Sequence, residues 1–374
     1  MAFVNEMVGS LSNQDCVTSN KPKTNNPNRL ATRFRFDTDR VMAHLNSHIA
    51  GQEEALKEIE SLLRLVSVDI TDPSRPLYVS LLLGPTGVGK TELVRTLTEA
   101  IHGTRDGFCR IDMNTLSQEH YAASLTGSPP GYAGSKEGIT LLDKTKIEGS
   151  FSAPGIVLFD EVEKASDTVL QALLNVFDNG LMTIATGQQS INFRNALIFM
   201  TSNIGARELQ DFAKQQFRNL NKDNSHASAD TSGLTFVGTS KENRDIIEAR
   251  LEETLSPEFL NRIDSIITFN WLTKNSVNAI IDMELARLNK RLERLKCHIR
   301  LDDSAMSLIS DIGFDVRFGA RAMKRAIRQH VEMPLADFLL ENLPLSQNAS
   351  AITHEKTELV GSCDKQTIRF NQVK

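Results

Sequence analysis

The chain has 374 residues, room for two domains at about 150 residues each. Its 40% hydrophobic and 24% charged residues mark an ordinary globular protein, and a net charge of -5 leaves no basic footprint for duplex nucleic acid. No apolar run approaches the roughly 20 residues of a membrane span, and no basic-then-apolar leader opens the chain. The four cysteines (Cys16, Cys109, Cys297, Cys363) lack metal-ligand spacing, so ordinary thiols in a reducing cytoplasm are expected.

In chain order, residues 1–44 are polar and read as a mobile arm. "GQEEALKEIESLLRLVSV" places Ala55, Leu56, Ile59, Leu62, Leu63 and Val66 at helical spacing. Four short apolar runs follow: 77–83, 108–113, 155–160 and 195–202. Their near-continuous apolarity predicts parallel strands buried on both faces, and the amphipathic segments 90–102, 138–148 and 166–178 predict crossover helices. Between the second and third runs lies "GSPPGYAGSKEG", too rich in Gly and Pro for helix or inner strand, yet carrying Tyr132. Residues 219–233 form a polar loop, and "IDSIITFNW" predicts one more strand. Beyond Leu272 the chain reads as mostly helical, with Asp302 or Asp303 as an N-cap and a strand or two in the last thirty residues. The expected domains are an α/β unit over 45–271 and a small, mainly helical unit over 272–374.

Three motifs carry chemistry. "GPTGVGKT" (Gly84–Thr91) fits G-x-x-x-x-G-K-[ST] between a strand and a helix. There backbone N–H groups cradle phosphates, Lys90 reaches the β/γ-phosphates, and Thr91 ligates Mg²⁺. "GIVLFDE" ends a buried strand on Asp160, a second Mg²⁺ ligand, and Glu161, which orients or deprotonates the attacking water. The alternative is that "DEVEK" is only an acidic first helical turn. Asn203, at the end of "ALIFMTSN", stands where ligands bind in open α/β sheets. Alone it would read as an Asx turn or helix cap; beside the phosphate loop it reads as a water-positioning group.

The motifs "HIAGQEEAL", "LLLGPTGVGKTEL", "RIDMNTL", "GSPPGYAG", "VLFDEVEKA", "NFRNALIFMTSNIGA", "SPEFLNRID" and "GFDVRFGARAMKRAI" occur in this order. Over residues 45–343 the chain resembles the second ATPase ring of the Clp-type AAA+ chaperones, the ClpA, ClpB and ClpC group. The resemblance implies an AAA+ α/β fold, a parallel sheet between helices, followed by a small helical lid. It implies ATP with Mg²⁺, an adenine pocket at Ile49, Ala50 and Gly51, and a Walker A loop of Gly84, Pro85, Thr86, Gly87, Val88, Gly89, Lys90 and Thr91. Asp160 and Glu161 match Walker B and Asn203 matches sensor 1. Arg262 in "NRID" resembles the arginine finger that reaches a neighbour's γ-phosphate, and Arg321 in the second "GAR" resembles sensor 2. "GYAG" (Gly131, Tyr132, Ala133, Gly134) resembles the substrate-gripping pore loop of a hexameric ring.

The sequence departs from the family in three places. It resembles one ATPase ring, and residues 1–44 match none of the larger relatives' additional domains. The peptidase-docking tripeptide of protease-linked relatives reads Val237-Gly238-Thr239, without its large apolar third residue, and the hairpin 179–190 is less polar than usual. The reading taken forward is an ATP-driven protein unfoldase, acting as a self-assembled ring on polypeptide substrates. The alternatives are an unfoldase partnered by a peptidase or adaptor, a nucleotide-dependent structural switch, and a nucleic-acid motor, the last disfavoured by the acidic balance.

Overall fold

The computed structural model describes residues 32–117, 141–183, 190–205, 241–313, 319–342, 357–364 and 367–372. The candidate pore loop Gly131–Gly134, the tripeptide 237–239, the polar loop 219–233 and residues 1–31 of the arm lie outside the described residues. The end of the expected arm is instead part of the fold, because Phe34, Val41 and Met42 bury apolar side chains in the core. Residues 32–374 cluster as one compact unit.

Its centre is a five-stranded parallel sheet built from β1 (Tyr78–Leu83), β2 (Cys109–Asp112), β3 (Gly155–Asp160), β6 (Ala196–Ser202) and β7 (Ser265–Thr268). The order is β2-β3-β6-β1-β7, with a short β4–β5 hairpin (Leu181–Thr183, Ser190–Asn192) outside it. Every residue of β3 and β6 is buried, as their unbroken apolar runs required.

Side chains alternate between two cores, because successive strand residues point to opposite faces. Val79, Leu81, Val157, Phe159, Ile198 and Met200 join one core, with Leu173, Val176 and Phe177 of the helix Asp167–Asn179. Leu82, Ile156, Leu158, Leu197 and Phe199 join the other, against helices α1 (Thr38–Asn46), α2 (Glu53–Val68) and α3 (Lys90–His102). The predicted stripe Ala55, Leu56, Ile59, Leu62, Leu63 and Val66 is the buried face of α2.

After Leu272 the chain builds a third core from the helices Lys274–Leu292, Asp303–Gly313, Ala320–Ile327 and Met333–Asn342. Asp302 is the cap of the second, its Oδ1 accepting the Ala305 N–H at 2.8 Å. The terminal strands β9 (Thr357–Asp364) and β10 (Thr367–Gln372) form a hairpin. They join a strand that helical periodicity did not reveal, β8 (Cys297–Leu301), which pairs parallel to β9. Cys109, Cys297 and Cys363 carry free thiols.

Candidate active site

At the carboxyl end of β1 the chain turns through Gly84–Gly89 into α3. Gly89 caps that helix at φ 113°, a conformation a side chain would resist. The loop curls around Lys90, which is only 7% exposed. Its Nζ donates to the carbonyls of Gly84 and Pro85 (2.8 Å for the latter) and to Asn203 Oδ1 at 2.9 Å. Burial pushes the ammonium down to about 8, against the partial support of Glu163, Asp160 and Glu161. A buried cation bonded only to neutral oxygens is matched to an incoming anion, so the residues present fit a phosphate group.

The strand β3 delivers Asp160, 9% exposed. Arg110 of β2 donates to its Oδ2 from Nη2 at 2.6 Å and Nε at 3.1 Å. Its Oδ1 accepts from the Thr201 hydroxyl and, at 3.5 Å, from the Thr91 hydroxyl. Hard oxygens on Thr91 and Asp160 suit a divalent cation such as Mg²⁺. Glu161 then leaves the strand in the left-handed region (φ 61°, ψ 54°) before a single 3₁₀ turn, Val162–Lys164. Glu161 makes no side-chain capping bond, and its residue lines the cleft. Asn203 donates its backbone N–H to Glu163 Oε1 at 3.3 Å, and the other Glu163 oxygen is buried without a partner.

The C-terminal helices close the cleft. Ala320 donates its N–H to the carbonyl of Gly87 at 2.9 Å. Gly319 (φ 53°) makes that approach feasible, since a Cβ there would fall 2.8 Å from the same oxygen. Arg321 follows and lines the cleft, as do Leu272, Ile280 and Met283 together with Ile49 and Ala50. The cleft holds about 380 Å³. An ionic bridge spans it: Glu92 accepts from Arg287 at 2.6 Å and from Arg105, and Glu284 accepts from Arg287 at 2.7 Å. Burial raises the Glu92 carboxyl, but Arg287 and Arg105 outweigh it and hold it below the ordinary range.

Of the predicted residues, Ile49, Ala50, Thr86–Thr91, Asp160, Glu161, Asn203 and Arg321 line this one cleft. Gly84 and Pro85 sit behind it, their carbonyls turned to Lys90. Gly51 packs on Ser276, where a Cβ would fall 2.2 Å from the hydroxyl oxygen. Arg262 stands apart from the lining, donating to Asp178 Oδ1 at 2.6 Å and to the Glu258 carbonyl at 2.8 Å. Sequence reasoning missed Arg110, Thr201 and Glu163. Only Arg110 left a trace, as a basic residue alternating with the apolar Cys109 and Ile111; its pairing with Leu158, two positions before Asp160, is visible in the structure alone.

The model for the AAA domain (Cdc48 subfamily) matches residues 75–266, and that for the C-terminal, D2-small domain of ClpB protein matches residues 272–351. The chain is a Clp-type AAA+ ATPase. This Clp-type ATPase is 50% identical over 316 residues to the ATP-dependent protease ATP-binding subunit-like protein AmiB of Pseudomonas aeruginosa, covering 84% of this chain and 82% of that one. It is 42% identical over 317 residues to an ATP-dependent protease ATP-binding subunit-like protein of Rhodococcus erythropolis, covering 85% and 87%. Against the ATP-dependent Clp protease ATP-binding subunit ClpC of Staphylococcus aureus (strain USA300) it is 35% identical over 323 residues, covering 86% of this chain but 37% of ClpC. As a member of the family the Clp-type ATPase binds and hydrolyses ATP.

Proposed function

We propose that this ATPase is a protein unfoldase whose subunits, arranged in a homo-oligomeric ring, couple hydrolysis in the cleft to pulling on polypeptide. The observation that carries the reading is the convergence of Lys90, Asp160, Glu161, Asn203 and Arg321 on one cleft whose wall is completed by the C-terminal helices. The protein's own groups divide the work. Backbone N–H groups of Gly87–Gly89, with Lys90, hold the phosphates. Glu161 takes the proton of the attacking water, Asn203 orients that water, and Arg321 meets charge arriving at the lid side. Mg²⁺, held by Thr91 and Asp160, would neutralise phosphate charge when bound. Arg262, outside its own cleft and, among the described residues, held by exposed Asp178 and a carbonyl, would exchange those bonds for a neighbour's nucleotide. Tyr132 grips substrate by apolar contact that ignores sequence.

Among the described residues no helix is long and apolar enough to cross a membrane. The names of the Pseudomonas and Rhodococcus relatives, as subunit-like proteins of an ATP-dependent protease, favour a second reading, in which the unfoldase feeds a peptidase partner. A Glu161→Gln variant tests both. It is expected to bind ATP, turn it over at least about 100-fold more slowly, and retain client proteins when isolated from cells. Wild-type phosphate release by that variant would overturn the assignment of Glu161. A peptidase among the retained proteins would select the second reading.

A further inference from the structure

We infer that Thr201 is a positioning residue whose single hydroxyl sets Asp160 and Glu161 together in working geometry. The inference rests on the reading of Glu161 as the base. Strands β3 and β6 run parallel in register up to Phe159 opposite Met200, so the next step brings Asp160 beside Thr201. Thr201 is 2% exposed. Its Oγ1 donates to Asp160 Oδ1 and accepts the Glu161 N–H at 3.0 Å. The polarity is fixed, since a carboxylate only accepts and an amide only donates. One oxygen therefore spends its proton on the metal-binding acid and its lone pair on the backbone of the base.

Both bonds oppose an alternative. Asp160 is drawn the other way by Arg110 on its second oxygen, and without the hydroxyl that pull has one fewer counterweight. Glu161 holds a left-handed backbone that a residue with a Cβ adopts only when its surroundings enforce it. The bond to Thr201 ties that N–H to the sheet, and losing it takes the acceptor from a part-buried amide. Two residues later the same strand end presents Asn203 to Lys90. The end of β6 thus touches the base through Thr201 and the phosphate-binding lysine through Asn203.

Thr201→Val keeps the side chain's shape and removes the hydroxyl; Thr201→Ser restores it. The expected result is a kcat about 10- to 100-fold lower for Thr201→Val, with nucleotide affinity measured calorimetrically changed by less than about threefold, and a kcat near wild type for Thr201→Ser. A wild-type kcat for Thr201→Val, a loss confined to KM, or a Ser variant as impaired as the Val variant would each overturn the inference. Thermal unfolding with a non-hydrolysable ATP analogue verifies the fold; if Thr201→Val does not fold, Thr201→Ala supplies the hydroxyl-free arm with the same expected kcat loss. Glu161→Gln, measured in parallel, separates the two readings. Turnover retained by Glu161→Gln removes the base reading, whereas a dead Glu161→Gln beside an unimpaired Thr201→Val removes only the role of Thr201.

Discussion

In the proposed function, nucleotide affinity turns on Lys90. Its ammonium, lowered by burial to about 8 from 10.5, is protonated in both folded and unfolded chains below pH 8. Between those values the unfolded chain binds the extra proton, so the nucleotide-free protein gains stability as pH rises through that window. Nucleotide binding has the opposite sign, because polyphosphate favours the charged lysine. Affinity for a non-hydrolysable ATP analogue is expected to be flat from pH 6.5 to 8 and then to weaken by up to about tenfold per pH unit. Calorimetric titration across that range checks it, and an affinity independent of pH up to 9.5 would show that Lys90 stays charged throughout. Arg110 supplies a second expectation. It occupies the oxygen of Asp160 that Thr91 and Thr201 leave free. Arg110→Ala should lower the Mg²⁺ concentration needed for half-maximal nucleotide binding by about three- to tenfold, an ion pair with one half-exposed partner being worth roughly 1 kcal/mol; a raised Mg²⁺ requirement would make Arg110 a phosphate ligand instead.

At the scale of elements, the N-terminus of the helix Ala320–Ile327 is seated on the phosphate loop, and the proposed function makes this contact the joint between nucleotide and motion. Gly319→Ala would bring a methyl against the Gly87 carbonyl and force an unfavourable backbone. It is expected to cost about 1–3 kcal/mol of stability and to reduce the thermal stabilisation that ATP analogues confer, both read from melting curves with and without nucleotide. An unchanged response to nucleotide would mean that the lid is not coupled through this contact. The sheet was legible because buried parallel strands leave unbroken apolar runs, and the phosphate loop because its glycines and lysine have few alternative uses. β8 was not, although Cys297, Ile299 and Leu301 are buried with His298 and Arg300 between them, because five alternating residues amid long helices give a weak period-two signal. Arg110, Thr201 and Glu163 escaped for another reason. Each acts through a strand neighbour far away in sequence, and one chain read alone does not show which strands lie side by side. Arg321 and Arg262 were reached through family resemblance only, since neither stands out from surrounding basic or polar residues.

At the scale of the whole molecule, the proposed ring makes turnover a property of neighbours, because Arg262 stands outside its own cleft. Arg262→Ala is expected to bind nucleotide normally and lose hydrolysis by about 10³-fold or more. Mixing it with Glu161→Gln, which is also strongly impaired, should restore part of the activity, because each Arg262→Ala subunit keeps its base and borrows an arginine from the other variant. Phosphate release from the mixture that stays at the level of the separate proteins would place Arg262 outside catalysis in trans. The coupling of that turnover to work on proteins is the central claim, and Tyr132 is its most direct probe. Unfolding of a stable fluorescent protein bearing an unstructured tail, followed together with phosphate release for wild type and Tyr132→Ala, tests it. The account predicts unfolding by wild type, and hydrolysis without unfolding by the variant; unfolding undiminished in Tyr132→Ala would contradict it.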